Sequence, residues 1–542
     1  MRSTRSIIIQ DVKINRIIVK IKGSLKNPKL TIKELVLRDY ITNTILQPSH
    51  ISWQGNDFEV LINLMSIHDE NPMPTGDWYL IGIDQKGRSH ESYPVPELVD
   101  AINERTFHIS NDYNAYFDKS AKNYFWAESK IDQDNVSYFL KVSWSKPAPP
   151  LTWLQKRRKA YKKFMHNVSV GGFVKTFNFF HKFQKKVGNR LLFTSSSRKE
   201  IGGNEAFIYN RMVERGVDKQ FKIDFSFKEN IKDRRSFWNK FSFTIKLAKA
   251  NIIICDDYQP ELYHVDFGPD TKVIQVWHAC GAFKTVGLER LGKPGAPAFD
   301  TRVHKCYTAM TVSSKLAAAH YAEAFGLNID KIKPLGVPRT DIFFDEEYKK
   351  KVIPQVEEAF PQVKDAEEVI MYAPTFRGVN ARTASFPMDM IDFDGIGEYL
   401  RKHHSVMLIK MHPFVREPLP IPEEYKDIII DASSFREIND ILFVTDLLIT
   451  DYSSVIYEFS LFHKPMLFYA FDRMKYEADR GFYEPYSEMV PGKIVRTSEE
   501  LLRALEKRDF EFEKVDPFVK KNFRYTDGKS TDRIIDTLLL KK

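Results

Sequence analysis

The sequence has 542 residues, of which 43% are hydrophobic, 13% aromatic and 28% charged. This length predicts three or four domains, and the aromatic content excludes a disordered chain. Its three cysteines, Cys255, Cys280 and Cys306, lack the paired spacing of a disulfide framework or a zinc site. No apolar run reaches the about 18 residues of a spanning helix, and the N-terminus lacks a signal-peptide pattern. We therefore expect a cytoplasmic protein unless it attaches to a surface.

Residues 1–147 are predicted to form a β-rich domain, because short β-branched and aromatic runs alternate there with turn signals. Strands are expected over 6–9, 16–20, 30–37, 58–64, 78–84 and 138–142. A small β-sandwich is the predicted arrangement, and we find no catalytic constellation within it. The run Lys146-Pro-Ala-Pro-Pro150 marks the predicted domain boundary, since successive prolines remove backbone donors.

Residues 148–190 form a basic connector. Eleven Lys and Arg residues lie between 151 and 190 without one Asp or Glu, which exceeds the net charge of +9 for the whole chain. Aromatic residues recur at helical spacing, and Gly171-Gly172 divides the connector into two predicted amphipathic helices. Such a surface is typical of helices at an anionic membrane, although an aromatic face packed on the rest of the protein is an equal alternative. The membrane-facing candidates are Lys156, Arg157, Arg158, Lys159, Lys162 and Lys163.

From residue 191 onward, short β-rich runs alternate with helical stretches, which predicts parallel sheets with crossover helices. Strands are expected over 191–195, 251–255, 272–276 and 309–313, and then over 369–372, 406–410, 447–450 and 465–469. The two groups predict an α/β fold with two doubly wound, Rossmann-like domains, 191–360 and 361–542, that face a cleft. This two-domain arrangement is called GT-B. Ligands bind such sheets at the carboxyl ends of the strands.

His278 is the candidate general base. The strand that ends near Val276 leads into Trp277-His278, then a turn of small residues, then Lys284. A histidine with an ordinary pKa of about 6.5 can accept a proton from an attacking hydroxyl. Lys284 can bind a phosphate. A lone histidine at a strand end would more simply be structural, and it is the neighbouring basic clusters that favour catalysis here.

Three further basic clusters follow predicted strands. Arg339 lies in a Gly-Val-Pro-Arg-Thr-Asp motif, and we expect Asp341 to orient it. Arg377 follows the next strand, and Lys410 and His412 follow another. Each arginine alone could be an ordinary ion-pair residue. Four clusters at four strand ends together predict a site for a pyrophosphate.

A fifth cluster, Asp451-Tyr-Ser-Ser454, lies between a predicted strand and a predicted helix over 455–462. Ser453 or Ser454 is expected to cap that helix, whose N-terminal amides would bind an anion. Glu458, one turn further along, is placed to hold a ribose hydroxyl. Alternatively, the two serines only cap the helix, which is compatible with anion binding by the remaining N-terminal amides. No P-loop or dinucleotide fingerprint is present, so these residues leave the nucleotide unidentified.

These motifs, in this order, resemble those of the CDP-glycerol glycerophosphotransferase family, which contains teichoic acid polymerases and primases. The resemblance extends from about residue 191 to the C-terminus. The motifs that carry it are Trp277-His278, Gly336-Val-Pro-Arg-Thr-Asp341, Ala373-Pro-Thr-Phe-Arg377, Met411-His-Pro413 and Thr450-Asp-Tyr-Ser-Ser454.

Two segments distinguish branches of that family. Glycerol-phosphate polymerases usually continue Trp-His with Gly-Thr-Pro-Leu-Lys, whereas this chain has Ala279-Cys-Gly-Ala-Phe-Lys284. That segment and Phe482-Tyr-Glu-Pro485 are similar to those of ribitol-phosphate polymerases. The resemblance implies a GT-B fold and transfer of ribitol phosphate from CDP-ribitol to a lipid-linked teichoic acid acceptor, with release of CMP.

The resemblance also implies roles for the site residues. His278 matches the proposed base of the family, and His412 matches a second essential histidine, to which we assign charge stabilisation. Arg339, Arg377 and Lys410 would neutralise charge in the transition state. The backbone and hydroxyls at 453–454 would hold the CDP phosphate. With a CDP-polyol as donor substrate and no acidic cluster in the sequence, we expect no cofactor and no required metal ion.

The expected location is peripheral, on the cytoplasmic face of the cell membrane, with the anionic membrane surface and the lipid-linked acceptor as partners. A nucleic-acid partner is not expected, because no recognisable binding motif accompanies the charge. The oligomeric state is left open, a homo-oligomer included.

Several alternatives remain. Within the same class they are a glycerol-phosphate primase or polymerase that uses CDP-glycerol, and a capsule polymer synthase. A sugar-nucleotide glycosyltransferase of the same fold would prefer UDP or GDP to CDP. A nucleic-acid-binding module would leave the five strand-end clusters unexplained.

Overall fold

A computed structural model describes the chain except for residues 1–3, 104–113, 120–122, 133–135, 146–152, 185–187, 230–232, 234, 292–296, 299–300, 379–382 and 541–542. The chain forms two compact units. The first contains residues 1–171, 286–305 and 321–329, and the second contains residues 172–285, 306–320 and 330–542. Among the described residues, no helix is both long enough and apolar enough to cross a membrane.

The N-terminal region is one sheet of eleven strands, with a short helix α1 (Pro96–Asn103). The strands are β1 (Thr4–Asn15), β2 (Ile18–Leu25), β3 (Ile32–Asp39), β4 (Ile45–Leu46), β5 (His50–Gln54), β6 (Asp57–Asn63), β7 (Gly76–Asp84), β8 (Ser89–Pro94), β9 (Asn114–Lys119), β10 (Asn123–Asp132) and β11 (Ser137–Ser145). Alternate residues enter a common core, as where Val19 and Ile21 of β2 pair with Ile62 and Val60 of β6.

The predicted strands of this region are present, but the predicted β-sandwich needs correction. The strands form one hydrogen-bonded sheet, because β7 pairs with β3 along one edge and with both β8 and β11 along the other. This shared strand joins what would otherwise be separate sheets. Such pairings connect residues far apart in the chain, so local sequence patterns could not reveal them.

The basic connector contains a single helix, α2 (Trp153–His181), in place of the two helices predicted. The helix passes through Gly171 and Gly172 without a break. A glycine inside a helix costs about 1 kcal/mol relative to alanine, whereas proline, which does break helices, costs about 3 kcal/mol. The prediction of two helices treated the glycine pair as a terminator, which it is not.

The rest of the chain contains two parallel six-stranded sheets. The first is ordered β13-β12-β14-β15-β16-β17 and the second β20-β19-β18-β21-β22-β23. The first sheet contains β12 (Arg190–Ser195), β13 (Lys222–Phe227), β14 (Ile252–Cys255), β15 (Lys272–Gln275), β16 (Ala309–Thr311) and β17 (Ile332–Lys333). The second contains β18 (Glu368–Ala373), β19 (Ser405–Ile409), β20 (Ile429–Asp431), β21 (Leu447–Thr450), β22 (Met466–Tyr469) and β23 (Lys493–Val495). All eight predicted strands are confirmed, and both sheets are Rossmann-like.

Helices cover both sheets. They are α3 (Gly203–Glu214), α4 (Phe237–Lys249), α5 (Lys315–Phe325), α6 (Glu346–Ala359), α7 (Phe393–Lys402), α8 (Ile438–Ile441), α9 (Val455–Ser460), α10 (Arg473–Arg480), α11 (Tyr486–Met489), α12 (Ser498–Lys507), α13 (Val515–Asn522) and α14 (Ser530–Ile534), which continues as a π-helical turn (Ile535–Leu539). The predicted second domain, 361–542, needs one correction. Its last helix packs into the core of the first sheet, where Ile534 and Ile535 contact the cluster of Leu191 and Ile252.

Candidate active site

The Trp277-His278 turn follows β15 and is held in an unusual backbone conformation. Trp277 has a φ of 44°, which is uncommon for a residue with a side chain. The Gln275 side chain accepts the N–H of Trp277 at 2.8 Å, and the Asn204 amide donates to the carbonyls of Val276 and Trp277. Three polar contacts therefore fix the direction in which the chain leaves the sheet and presents His278.

The His278 side chain is 49% exposed, and its Nδ1 lies 3.7 Å from a carboxylate oxygen of Asp257. The centroids of the Trp277 and His278 rings are 4.3 Å apart. Asp257 follows β14, the neighbour of β15 in the sheet. The candidate base is thus accessible, and its Nδ1 faces an acid that the sequence analysis did not single out.

Arg339 and Glu458 form an ion pair between the two Rossmann-like sheets. The Arg339 guanidinium donates to a Glu458 carboxylate that is 2% exposed, and the Arg339 backbone N–H donates to Asn204 at 3.0 Å. The other Glu458 oxygen, Oε2, is buried and has no hydrogen-bond partner. Asp341 does not orient Arg339 as expected. It accepts the backbone N–H groups of residues 530 and 531 at the start of α14 instead.

Arg377 lies in a dense ion-pair network at the end of β18. It forms a two-pronged contact with Asp472, at 2.6 and 2.8 Å, and contacts Asp451 at 3.0 Å. Asp451 is 1% exposed and also accepts the backbone N–H of Thr375 at 2.8 Å. These contacts hold the strand-end turn in shape. The predicted phosphate contacts of Arg377 and Asp451 stay predictions.

Lys284 connects the first Rossmann-like half to this network. Its backbone pairs with Phe482, and its Nζ lies 3.4 Å from the Tyr476 hydroxyl. Burial lowers the pKa of Lys284 to about 8, with Asp451 opposing the shift and nearby arginines adding to it. The side chain is therefore a cation near neutral pH that loses its charge in mildly alkaline solution.

His412 is neutral at pH 7. Burial, together with the positive charges of Lys284 and Lys410, lowers its pKa to about 4. Its Nδ1 accepts the backbone N–H of Phe414 at 3.2 Å, so the ring proton belongs on Nε2. The ring also lies 4.6 Å from that of Phe376. His412 is thus a neutral hydrogen-bond donor through Nε2–H. Any charge stabilisation by this residue would come from that hydrogen bond and not from a positive charge.

The remaining candidates are less available. Lys410 is 7% exposed, and its Nζ donates to the backbone carbonyls of Ser433 and Phe435 at 2.8 and 2.7 Å. Ser454 occupies the N-cap position of α9 without a side-chain capping bond, and Ser453 Oγ accepts a long 3.4 Å contact from the N–H of Val455. The expected side-chain cap by Ser454 is therefore not formed. Phosphate binding by these three residues stays a prediction.

The basic connector presents a hydrophobic surface along α2. Tyr161, Phe164, Met165 and Val168 are 66%, 62%, 47% and 53% exposed. Arg157 is also exposed. The side chains of the other five membrane-facing candidates, Lys156, Arg158, Lys159, Lys162 and Lys163, lie outside the described residues.

A second exposed aromatic group was missed in the sequence. Phe237 and Trp238 at the start of α4 are 74% and 73% exposed, and Phe179 and Phe183 of α2 are 58% and 65% exposed. Phe241 of α4 joins the two sets, because its ring lies 6.0 Å from that of Phe180. We call Phe179, Phe180, Phe183, Phe237, Trp238 and Phe241 the aromatic patch. The motif Phe-Trp-Asn-Lys-Phe at 237–241 was the available signal.

Asp257, Asp472 and Tyr476 were also missed by sequence reasoning. Asp256-Asp257 follows a predicted strand, so the strand-end rule that selected the basic clusters would have selected these acids as well. Asp472 follows β22 by three residues, so the strand-end rule would have selected it as well, whereas Tyr476 lies within α10 and only folding brings it to Lys284.

Comparison with known proteins shows the family. The family model for CDP-glycerol:poly(glycerophosphate) glycerophosphotransferase matches residues 176–540. The chain is 38% identical, over 98% of its length and 99% of the relative, to the teichoic acid ribitol-phosphate polymerase TarL of Staphylococcus aureus. It is 47% identical to TarK of the same organism, over 67% of this chain and 70% of that protein.

A third relative is the teichoic acid poly(ribitol-phosphate) polymerase of Bacillus spizizenii, 33% identical over 94% of this chain and 82% of that protein. Among solved structures, the wall teichoic acid polymerase TagF superposes with a TM-score of 0.56 at 21% identity, covering 72% of this chain and 98% of that one. The two Rossmann-like sheets thus have a known structural counterpart. This chain belongs to the CDP-glycerol:poly(glycerophosphate) glycerophosphotransferase family.

Proposed function

We propose that the protein is a teichoic acid ribitol-phosphate polymerase, which transfers ribitol phosphate from CDP-ribitol to a lipid-linked teichoic acid acceptor and releases CMP. The observation that carries the proposal is the match to TarL, which extends over 98% of this chain and 99% of that protein. The relation includes the N-terminal β-rich region, which the family model, starting at residue 176, does not cover.

We propose a direct displacement at phosphorus, in a GT-B cleft between the two Rossmann-like sheets. The terminal hydroxyl oxygen of the acceptor forms a bond to the phosphorus that carries ribitol. The bond from that phosphorus to the bridging oxygen breaks, and CMP leaves with the electron pair. His278 accepts the hydroxyl proton, a role supported by its exposure and by its position at the carboxyl end of β15.

Electrostatic stabilisation of the diphosphate is assigned to Lys284 and His412. His412 packs against Phe376, which follows β18, and the positive charge of Lys284 contributes to the lowered pKa of His412. Lys284 supplies a positive charge and His412 a neutral N–H donor. Pre-oriented donors of this kind stabilise developing charge without reorganising during the reaction. No metal ion is proposed to be required, and undiminished CMP release in excess EDTA is the result that would support this.

Several of the other predicted residues also form contacts that stabilise the fold. Arg377 and Lys410 add positive potential while holding the turns at residues 451 and 433. Ser453 and Ser454 are proposed to contact the CDP phosphate. Glu458 Oε2, which is buried without a hydrogen-bond partner, is proposed to accept a ribose hydroxyl. Arg339 is proposed to combine its link to Glu458 with neutralisation of phosphate charge.

We propose that the protein binds peripherally to the cytoplasmic face of the membrane, through α2 and the aromatic patch. Two helices expose aromatic rings near lysines, and Lys249 lies 5.7 Å from the Phe180 ring. Exposed Trp and Phe beside Lys residues are typical of an interfacial surface. An anionic bilayer would add about 1 kcal/mol of attraction for each lysine close to it.

The test is CMP release from CDP-ribitol and from CDP-glycerol, with a primed lipid-linked acceptor, by wild type and His278→Ala. We expect release that is selective for CDP-ribitol and lost in the variant. Selective release from CDP-glycerol would keep the family and overturn the ribitol assignment. A variant as active as wild type would overturn the role of His278.

A further inference from the structure

The end of β14 carries two adjacent acids with different surroundings. Asp256 is 1% exposed and forms an ion pair with Arg198 at 2.9 Å. Asp257 is 31% exposed, and its Oδ1 lies 3.7 Å from Nδ1 of His278. The same Oδ1 accepts the backbone N–H of Tyr258 at 2.6 Å, which fixes the orientation of the carboxylate. Arg198 is thus engaged by Asp256, and Asp257 faces the imidazole.

A buried layer beneath these acids keeps the arrangement rigid. Glu205 on α3 is fully buried, and one carboxylate oxygen accepts the N–H of Thr194 at 3.1 Å. Burial and the nearby Asp256 raise the pKa of Glu205 well above its ordinary value. Arg198 therefore pairs with Asp256, and the Asp257 carboxylate faces His278.

The turn that carries His278 is fixed independently. Trp277 is held at a positive φ by Gln275 and Asn204, and the neighbouring Arg339 backbone N–H also donates to Asn204. Strained backbone of this kind persists only where its surroundings impose it. Here the result is that Nδ1 of the imidazole is directed toward Asp257, which leaves Nε2 on the other side of a half-exposed ring.

We propose, resting on the proposed function, that Asp257 is the positioning residue of His278. Its carboxylate keeps the neutral imidazole protonated on Nδ1, so that Nε2 is the proton acceptor, and it stabilises the imidazolium once Nε2 has taken the acceptor's proton. In hydrolases with a carboxylate–histidine pair, the carboxylate likewise holds the tautomer and stabilises the imidazolium, while Nε2 is the base. The two groups are 3.7 Å apart, and we expect this distance to shorten to a hydrogen bond when the imidazole becomes charged.

The test compares Asp257→Asn and Asp257→Glu with Asp270→Asn, a control whose exposed acid lies near the amino end of β15. For Asp257→Asn we expect kcat to fall roughly tenfold or more at an unchanged KM for CDP-ribitol. We also expect the acidic limb of the pH–kcat/KM profile to move to lower pH, because the variant no longer stabilises the imidazolium. Asp257→Glu restores part of kcat, and the control matches wild type.

A measurement without substrates separates this proposal from the proposed function. The imidazole of His278 is titrated by NMR in the full-length protein, with its signal assigned from His278→Gln. We expect its midpoint to fall by roughly half a pH unit in Asp257→Asn. The charged groups that bear on it are Asp256, Asp257 and Arg198.

An unchanged midpoint together with a kcat within about twofold of wild type would overturn the proposal. Loss of activity that Asp257→Glu does not relieve, accompanied by a lower melting temperature, would also overturn it, since a purely structural role predicts that pattern. If wild type released no CMP from either CDP-polyol, the proposed function would fail, and the NMR titration would still decide whether Asp257 holds His278.

Discussion

His412 is proposed to donate a hydrogen bond to an anionic ligand without carrying a charge. Two lysines and partial burial keep it neutral at pH 7, and the backbone N–H of Phe414 directs its proton to Nε2. The residue therefore resembles the neutral donors of an oxyanion hole. A donor of this type needs no proton from solution when the diphosphate binds, which suits a site that already holds several cations.

This tautomer makes a prediction about two amide substitutions. A glutamine side chain can place an N–H near the position of Nε2, whereas the shorter asparagine reaches only the position of Nδ1. We expect His412→Gln to retain more activity than His412→Asn, and His412→Asn to lose about 100- to 1,000-fold in kcat, as when an oxyanion donor is removed. Steady-state CMP release with melting temperatures measures both. Equal activity of the two variants would contradict the assignment of the proton to Nε2.

Lys284 predicts how CDP binding depends on pH. Its pKa of about 8 rises when a diphosphate binds, because the anion stabilises the ammonium. Below pH 8 the lysine is already charged and affinity is constant. Above pH 8 a proton must be taken up on binding, so affinity falls by up to about tenfold for each pH unit.

Calorimetry of CDP binding between pH 7 and 9.5, in buffers of different ionisation enthalpy, measures this uptake. Wild type should take up close to one proton at pH 9. Lys284→Arg is the matched control, since its guanidinium stays charged throughout and its binding should not vary with pH from this source. A wild-type affinity that is flat to pH 9.5 would show that Lys284 does not contact the diphosphate.

At the residue scale, the strand-end rule selected the candidate site residues but not the carboxylates that pair with them. His278, Lys284 and His412 follow from buried runs that end in polar residues, and such runs are visible in the sequence. The carboxylates that hold Arg339 and Arg377 are 119 and 95 residues away along the chain. No local pattern connects residues so distant, so the sequence predicted Arg339 and Arg377 as phosphate ligands without identifying the carboxylates that pair with them.

At the element scale, α2 and α4 together provide the surface proposed for the membrane. Sequence periodicity predicted amphipathic helices in the connector, but apolar and polar residues are not separated onto two faces along the whole of α2. The contribution of α4 depends on the contact between Phe241 and Phe180 in the folded protein, which periodicity within one helix cannot predict. The division of α2 at Gly171-Gly172 was wrong for a local reason, since glycine only weakens a helix.

The aromatic patch predicts a specific effect on vesicle binding. We expect Phe237→Ser/Trp238→Ser to reduce flotation with anionic vesicles by roughly tenfold or more, because two large side chains no longer enter the interface. Both residues are largely exposed, so the melting temperature should not fall. Phe512→Ser is the matched control, since Phe512 is 49% exposed but lies on a different helix.

Zwitterionic vesicles and high salt complete this experiment. Wild-type binding should be weaker to zwitterionic vesicles, and weaker to anionic vesicles at high salt, because the lysines beside the rings attract anionic headgroups. Wild-type and doubly substituted protein that float equally well would contradict the role of the patch. A change in sedimentation coefficient without any change in flotation would identify the patch as a contact between copies of this chain.

At the scale of the whole molecule, the two Rossmann-like sheets are tied together by several contacts. The last helix of the chain packs into the first sheet's core and pairs its Asp532 with Arg211 and Arg215 at 2.8 Å. The Lys284 backbone pairs with Phe482, and Arg339 pairs with Glu458. The alternating pattern predicted four of the six strands in each half, whereas the other strands, the strand order and the packing of the C-terminal helix against the first sheet were not predicted.

The Arg339–Glu458 pair gives a way to separate folding from catalysis. Removing one partner of a buried ion pair leaves an unpaired charge, which costs about 3–5 kcal/mol, whereas replacing both partners by apolar groups is often neutral. We therefore expect Glu458→Leu to lower the melting temperature clearly, and Arg339→Met/Glu458→Leu to recover most of that loss. Thermal unfolding followed by circular dichroism measures the effect.

The activity of the double variant, compared with that of Glu458→Leu, then tests what Arg339 does. If Arg339 also neutralises phosphate charge, kcat/KM of the double variant for CDP-ribitol is at least about a hundredfold below wild type and also below that of Glu458→Leu, as expected for a lost charge-assisted contact. If the double variant is both stable and fully active, Arg339 serves only to join the two sheets. In that case Lys284 and His412 would carry the interaction with the diphosphate, and the pH dependence predicted for Lys284 would account for most of the change in CDP affinity above pH 8.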